Sequence, residues 1–218
     1  MSNTTPETNE SLPTKVDGDI EVKKFEGSIY QNSEAFDYAK RVAGMFKVSQ
    51  LVPEAYRNNP ADIMIAIDQA NRLNISPLFL MQRMSIVKGK PVIEGQLVIA
   101  LINERGPFKE PLKFKYSGEG DARQCVCSGV RRENDELCES KVTVTMAKTA
   151  GWYETNKNWK ALTDQMLAYR SAMFLSRVYC PEVCFGMQLR DEVIDANHEK
   201  TIEQGKKISA LNDRLNKK

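Results

Sequence analysis

The sequence predicts an α+β fold. Helices pack around a small antiparallel β-meander and a β-hairpin, one long helix carries bases on its margin, and both tails are flexible. Three observations predict it. Apolar residues recur at helical spacing in four separated stretches that carry helix-start and helix-stop residues. Between them, residues 112–147 change to an alternation of polar and apolar residues, cut by "EGD" and "ENDE". The two ends are polar and poor in large aliphatic side chains, too little to offset the entropy of ordering. The predicted organisation is an acidic leader over 1–32, one core domain over 33–195, and a basic helical or flexible tail over 196–218.

The first predicted helix runs from Ser33, its cap, to Phe46, with Phe36, Ala39, Val42, Ala43 and Phe46 on one stripe. "VPEAYRNNP" connects it to a second helix, where Asn59 caps, Pro60 takes the first position and Asp62 faces the positive end of the helix dipole. Asn74 stops that helix in a left-handed conformation. Ser76-Pro77 restarts a short helix through "LFLMQRM". "SIVKGKPVI" then predicts a hairpin with Lys88-Gly89 at its turn. "GQLVIALINERG" is a helix ending at Gly106. "LKFKYSG", "ARQCVCSGVRR" and "CESKVTVTMA" supply the three strands of the meander. "KTAGWYETNKNWK" is expected to be a loop. A long helix follows from about Ala161 to Tyr179 and halts at Cys180-Pro181. A last helix, from Asp191 onward, fades into the tail.

Composition removes several classes of function. The 218 residues are 41% apolar, and no run approaches the roughly 20 apolar residues a membrane-spanning helix needs. The start of the chain lacks the basic and apolar blocks of a secretory signal, so a cytoplasmic protein is expected. A single histidine, His198, argues against histidine-based catalysis. No phosphate-binding G-x-x-x-x-G-K-[ST] loop occurs; "VKGKP" at 87–91 lacks the upstream glycine and the hydroxyl residue. The five cysteines form no C-x2-C knuckle, so reduced, buried thiols are expected and no metal or other cofactor. Asp191, Glu192 and Asp195 cluster at a helix start, where acids complement the dipole without doing chemistry.

Charge is divided unevenly. Residues 1–37 hold three bases and eight acids, and the rest of the chain 28 bases against 21 acids. A basic body behind an acidic leader suits a polyanionic partner. Within 141–180 six bases (Lys141, Lys148, Lys157, Lys160, Arg170, Arg177) face only Glu154 and Asp164 and alternate with six aromatic residues, Trp152 and Trp159 among them. Cations for phosphates and flat rings for bases are what a single nucleic-acid strand requires; a core of aromatics under a solvated basic surface gives the same pattern. Arg170 and Arg177 stand seven residues apart, two helical turns, on nearly one azimuth at the edge of the face formed by Leu162, Met166, Tyr169 and Met173. Lys88 and Lys90 flank the hairpin tip, and Lys113, Lys115, Arg123, Arg131 and Arg132 are expected on one basic face of the meander.

Two blocks carry a family resemblance. "LVPEAYRNNPADIMIAIDQANRLNISPLFLMQRMSIVKGKPVIEGQLVIALINERG" at 51–106 resembles the opening of the RecT-type phage recombinases, with its aliphatic helix, proline restart and Gly-Lys-Pro hairpin. "KVTVTMAKTAGWYETNKNWKALTDQMLAYRSAMFLSRVYCPEVCFGMQLRDEVID" at 141–195 resembles the family's second signature: an Ala-Gly-Trp turn, a second Trp before Met-Leu, a basic residue after it, Arg177, Pro181, Gly186 and then acids. The blocks stand in the family's order with a β-rich spacer between them, and the leader and tail fall outside the match.

The resemblance implies a single-strand annealing protein of the RecT and Redβ group, acting in phage-type homologous recombination. Such a protein binds single-stranded DNA and pairs it with its complement without ATP. It would assemble with itself into rings or helical filaments in the bacterial host cytoplasm, beside a 5'-3' exonuclease and the host single-strand binding protein. Arg170 and Arg177 match positions whose bases contact the DNA backbone in that family. Lys88, Lys90, Lys157, Lys160 and Trp159 join them by their placement on the hairpin and the loop. Two other readings stay open: a single-strand protector or RNA chaperone that does not anneal, and a small enzyme built on the cysteine or acidic clusters.

Overall fold

Local capping chemistry sets the first helices. In the structure, a computed structural model that describes residues 27–87 and 89–194, α1 spans Ser33–Phe46. Its cap is Asn32, whose side chain accepts the N–H groups of Glu34 and Ala35 at 2.9 and 3.2 Å. Ser33, the cap expected from sequence, is the first helical residue instead. The buried stripe is Ala35, Ala39 and Ala43, while Phe36 sits at the surface. Small residues there let α1 approach α2, Pro60–Leu73. The latter begins with Asn59 accepting the Asp62 N–H and ends at Asn74 with φ 50°. The connector between the two contains a 3-10 turn, Glu54–Tyr56, that buries Tyr56 against the Met84 carbonyl.

A short α3, Pro77–Arg83, leads into β1, Met84–Val87, and β2, Lys90–Ile93. These pair antiparallel with Val87 opposite Lys90, which leaves a two-residue turn. Gly89 takes φ 75° there, the left-handed conformation such a turn demands. The other turn residue, Lys88, lies outside the described residues. Helix α4, Gly95–Arg105, follows. Its first residue has to be glycine, because an added Cβ would lie 2.3 Å from Cγ of Tyr169.

The second sheet contains β3, Lys113–Ser117, β4, Gln124–Val130, and β5, Leu137–Thr143, in that order and antiparallel. Strand β5 stops earlier than the alternation through Ala147 predicted. Thr143 accepts the Met146 N–H with its side chain and starts α5, Val144–Thr149. The stretch read as a loop is likewise helical: α6, Trp152–Thr155, and α7, Asn158–Ala161, are single turns that lead into α8, Thr163–Tyr179.

Helix α8 is the centre of the molecule, packed on β4 and β5 and also against α4. It is buried nearly all round, through Met166, Leu167, Ala172, Met173 and Leu175, and Leu162 of its predicted apolar face lies in solvent. After a 3-10 turn, Pro181–Val183, the chain forms β6, Gln188–Leu189, parallel to β2. The first sheet therefore has the order β1-β2-β6. One helical turn, 190–194, closes the described chain. The tail over 196–218 and His198 lie outside it. The fold is α+β, with two three-stranded sheets among the described residues.

The leader boundary at 32 is corrected at its inner end. Ile29 is buried, and Asp68 of α2, itself 4% exposed, accepts the Ser28 hydroxyl at 2.7 Å and the Ile29 N–H at 2.9 Å. A chain lacking residues 1–31 should therefore melt on the order of 5–10 °C lower. It loses one buried aliphatic side chain and two hydrogen bonds to a buried carboxylate. Thermal denaturation of that truncation beside the full chain checks this; equal melting temperatures would return residues 28–31 to the leader. Residues 1–26 are outside the described residues.

Candidate nucleic-acid interface

The two arginines chosen from sequence occupy different environments. Arg170 is 3% exposed, not on the margin of α8 as its spacing suggested. A buried guanidinium requires a counter-charge and hydrogen bonds. Its Nη1 lies 2.8 Å from Oε1 of Glu192, and its Cζ stands 4.1 Å from the ring centre of Trp152. Arg177, two turns on, is 42% exposed at its side chain. It reaches the same carboxylate with both terminal nitrogens, Nη1 at 2.9 Å from Oε1 and Nη2 on Oε2. The Leu189 N–H also donates to Glu192 Oε2 at 3.2 Å. One carboxylate is thus shared by two guanidiniums and a backbone amide, the coordination a phosphate would receive.

Three elements bring these groups together. Helix α8 supplies the arginines. Strand β6, held by β2, presents the turn with Glu192, and Asn156 fixes that turn from the other side by donating to Asp191 at 3.0 Å. Trp152 of α6 completes the wall, 6.1 Å from Phe174 and edge-on to it. The result is a cleft of about 460 Å³ lined by Trp152, Arg170, Phe174, Arg177, Gly186, Gln188 and Glu192. It shares Phe174 and Arg177 with a second cleft of about 470 Å³ that reaches Ser140 and Val178. It shares Gly186 and Gln188 with a third, of about 210 Å³, bounded by Lys90, Pro91 and Phe185. The shared walls make one depression, leading from the hairpin across α8 to the β5 edge.

The other expected contacts divide. Lys90 is exposed at the hairpin end of that depression. Lys157 is exposed at the start of α7 and Lys160 pairs with Glu154 at 2.5 Å beside Tyr153; neither lines the depression. Trp159 is corrected. It is fully buried, stacked on Trp152 at 5.9 Å, and no base can reach it. Its indole Nε1 has no hydrogen-bond partner. The aromatic residues lining the depression are Trp152, Phe174, Tyr179 and Phe185; Glu192, expected only to complement a helix dipole, is instead the counter-ion of both arginines. The expected basic sheet face is reduced as well. Arg123 makes a bidentate pair with Asp164 of α8, Arg131 donates to the Tyr179 carbonyl, and Lys113 pairs with Glu110.

All five cysteines are buried and unpaired. Among the described residues no group of three His, Cys, Asp or Glu gathers as a metal site requires. Burial pushes the Cys127 thiol up to about 12 and Cys180 up to about 11, and raises Cys125 and Cys184 in the same direction. Such thiols are neutral at pH 7 and unreactive. Because all five are buried, the folded protein should leave them unmodified by a disulfide reagent such as DTNB, and denaturant should release all five. Rapid labelling of one or more in the native state would contradict the burial.

Several surface bases outside the depression are matched by acids, as in Arg83–Glu94 and Lys148–Asp121. Among the described residues no helix is long and apolar enough to cross a membrane. The sequence matches no protein-family model and no curated protein, and the fold matches no solved structure.

Proposed function

We propose that the protein binds single-stranded DNA and anneals complementary strands without ATP, in the manner of the RecT and Redβ proteins its two sequence blocks resemble. The observation that carries this reading is the carboxylate of Glu192, held between Arg170 and Arg177 and walled by Trp152 and Phe174. An exposed guanidinium beside flat rings suits a nucleotide, and the Glu192 carboxylate occupies the fork of Arg177 as a phosphate would. On this reading Arg170 keeps Glu192, and exposed Arg177 exchanges it for a phosphate at the margin of α8. Lys90 holds the strand farther along the depression.

Annealing then needs no bond to break. Two complementary strands repel through their phosphates. A basic depression neutralises one backbone and releases its counterions, and base edges left outward find their partners by Watson–Crick pairing. No acid, base or nucleophile enters the mechanism, so we assign no enzymatic step. Assembly into rings or filaments, partnership with an exonuclease and a single-strand binding protein, and residence in the host cytoplasm belong to the same proposal.

Mixing complementary oligonucleotides with the protein in buffer free of nucleotide triphosphates tests it. Duplex should form faster than without protein, and the acceleration should fall steeply as salt rises. Strand binding without faster pairing would identify a protector or chaperone instead. An absolute requirement for ATP would overturn the mechanism.

A further inference from the structure

The turn between the Pro181–Val183 3-10 helix and β6 contains a residue that neither packing nor backbone preference explains. Its flanking side chains Val183, Cys184 and Met187 are buried. Phe185, the largest of the group, is 49% exposed. Its φ is +47°, and Gly186 follows with φ +70°. The left-handed conformation brings Cβ against the backbone and is unfavourable for any side chain but most of all for a bulky one. Glycine or asparagine would suit position 185 better, and a polar residue would suit its exposure. The strained backbone holds an aromatic ring out into solvent, at the wall of the cleft that also contains Lys90 and Pro91. That cleft joins the arginine cleft through Gly186 and Gln188.

We infer that Phe185 is a base-stacking residue: a nucleobase of the bound single strand lies on its ring while Lys90 and Arg177 hold phosphates on either side. The inference rests on the single-strand reading given above and adds to it a contact to the bases. Strain at an exposed residue has a function when the strain aims the side chain, and every nucleobase offers a flat face, so the contact is indifferent to sequence. Lys90 supplies the cation that a neighbouring phosphate requires. The chemistry distinguishes the two ends of the depression: the exposed guanidinium of Arg177 beside Phe174 at one, and an exposed apolar ring beside the Lys90 ammonium at the hairpin.

The test compares wild type, Phe185→Gly and Phe185→Leu on two ligands, an ordinary single-stranded oligonucleotide and an abasic strand with the same number of phosphates. Phe185→Gly removes the strain with the ring. It should melt at or above the wild-type temperature, yet bind the oligonucleotide roughly tenfold more weakly. Phe185→Leu keeps the strain and the apolar bulk and should lose the same affinity. On the abasic strand all three proteins should bind alike. Equal affinity of wild type and both variants for the oligonucleotide overturns the inference, as does an equal loss on both ligands. A lower melting temperature for Phe185→Gly makes the ring structural and overturns it too. An unchanged affinity with altered particle size in solution assigns the ring to a contact between copies. If wild type binds neither strand, the parent reading fails; if it binds both in a salt-dependent way with no effect of position 185, only the stacking fails.

Discussion

Replacing Arg170 with alanine should lower the melting temperature by about 10 °C. The guanidinium is buried between the Trp152 ring at 4.1 Å and the Glu192 carboxylate at 2.8 Å. Glu192 is itself only 12% exposed at its side chain. Removing one partner of a buried ion pair costs about 3–5 kcal/mol, because the other charge stays desolvated. In a domain of this size each kcal/mol is worth roughly 2–4 °C. Arg177 still holds Glu192 in the variant, which places the expectation toward the lower part of that range. Arg170→Lys should recover little, since an ammonium cannot lie flat on an indole and donate in a fork at the same time. Scanning calorimetry decides it, and a shift below 2 °C would show that the ion pair contributes nothing to the fold. At the edge of the apolar face, where its spacing places it, Arg170 would be dispensable to the fold. Burial reverses that expectation.

Arg177→Ala should do the opposite. Its side chain is 42% exposed, and its pair with Glu192 leaves Arg170 in place when it goes. Melting should move by no more than about 2 °C, as for an exposed ion pair. Single-strand affinity should fall roughly tenfold, the worth of one charge-assisted hydrogen bond of about 1.5 kcal/mol. The slope of log affinity against log salt should become shallower by about 0.7. Anisotropy titrations at several salt concentrations measure both. If affinity and slope match the wild type, the strand takes another path across the molecule.

The contrast between these two arginines marks what a sequence can display. Their seven-residue spacing fixes a common azimuth, and azimuth is a local property of a helix. Depth is not. It depends on α6 and the 190–194 turn folding over one arginine and stopping short of the other. The same division holds along the chain. Asn59, Pro60 and Asn74 bound α2 by contacts within a few residues, and Gly89 fixes the hairpin turn, so these were legible. Strand β6 has two residues, too few for any period, and its partner is far back in the chain. The alternation in "KVTVTMA" is real up to Thr143, after which one side-chain cap converts the rest to helix. Trp159 and Trp152 have the same residue type and nearly the same surroundings in sequence. Only the stacking of one on the other decides which is covered.

The parallel pairing of β2 with β6 also imposes an order of assembly. A hairpin such as β1–β2 closes within about 1–10 µs of becoming available. Its third strand arrives only after a crossover through α4, the second sheet and α8. Long-range closure of that kind is late and comparatively slow. During synthesis the arginines of α8 are made before residues 188–192, so for an interval they have neither Glu192 nor a finished wall. The depression is therefore the last part of the core to form. A ribosome-bound chain that has not yet released β6 carries the bases of α8 without their built-in counter-ion, and it would meet polyanions such as ribosomal RNA in that state.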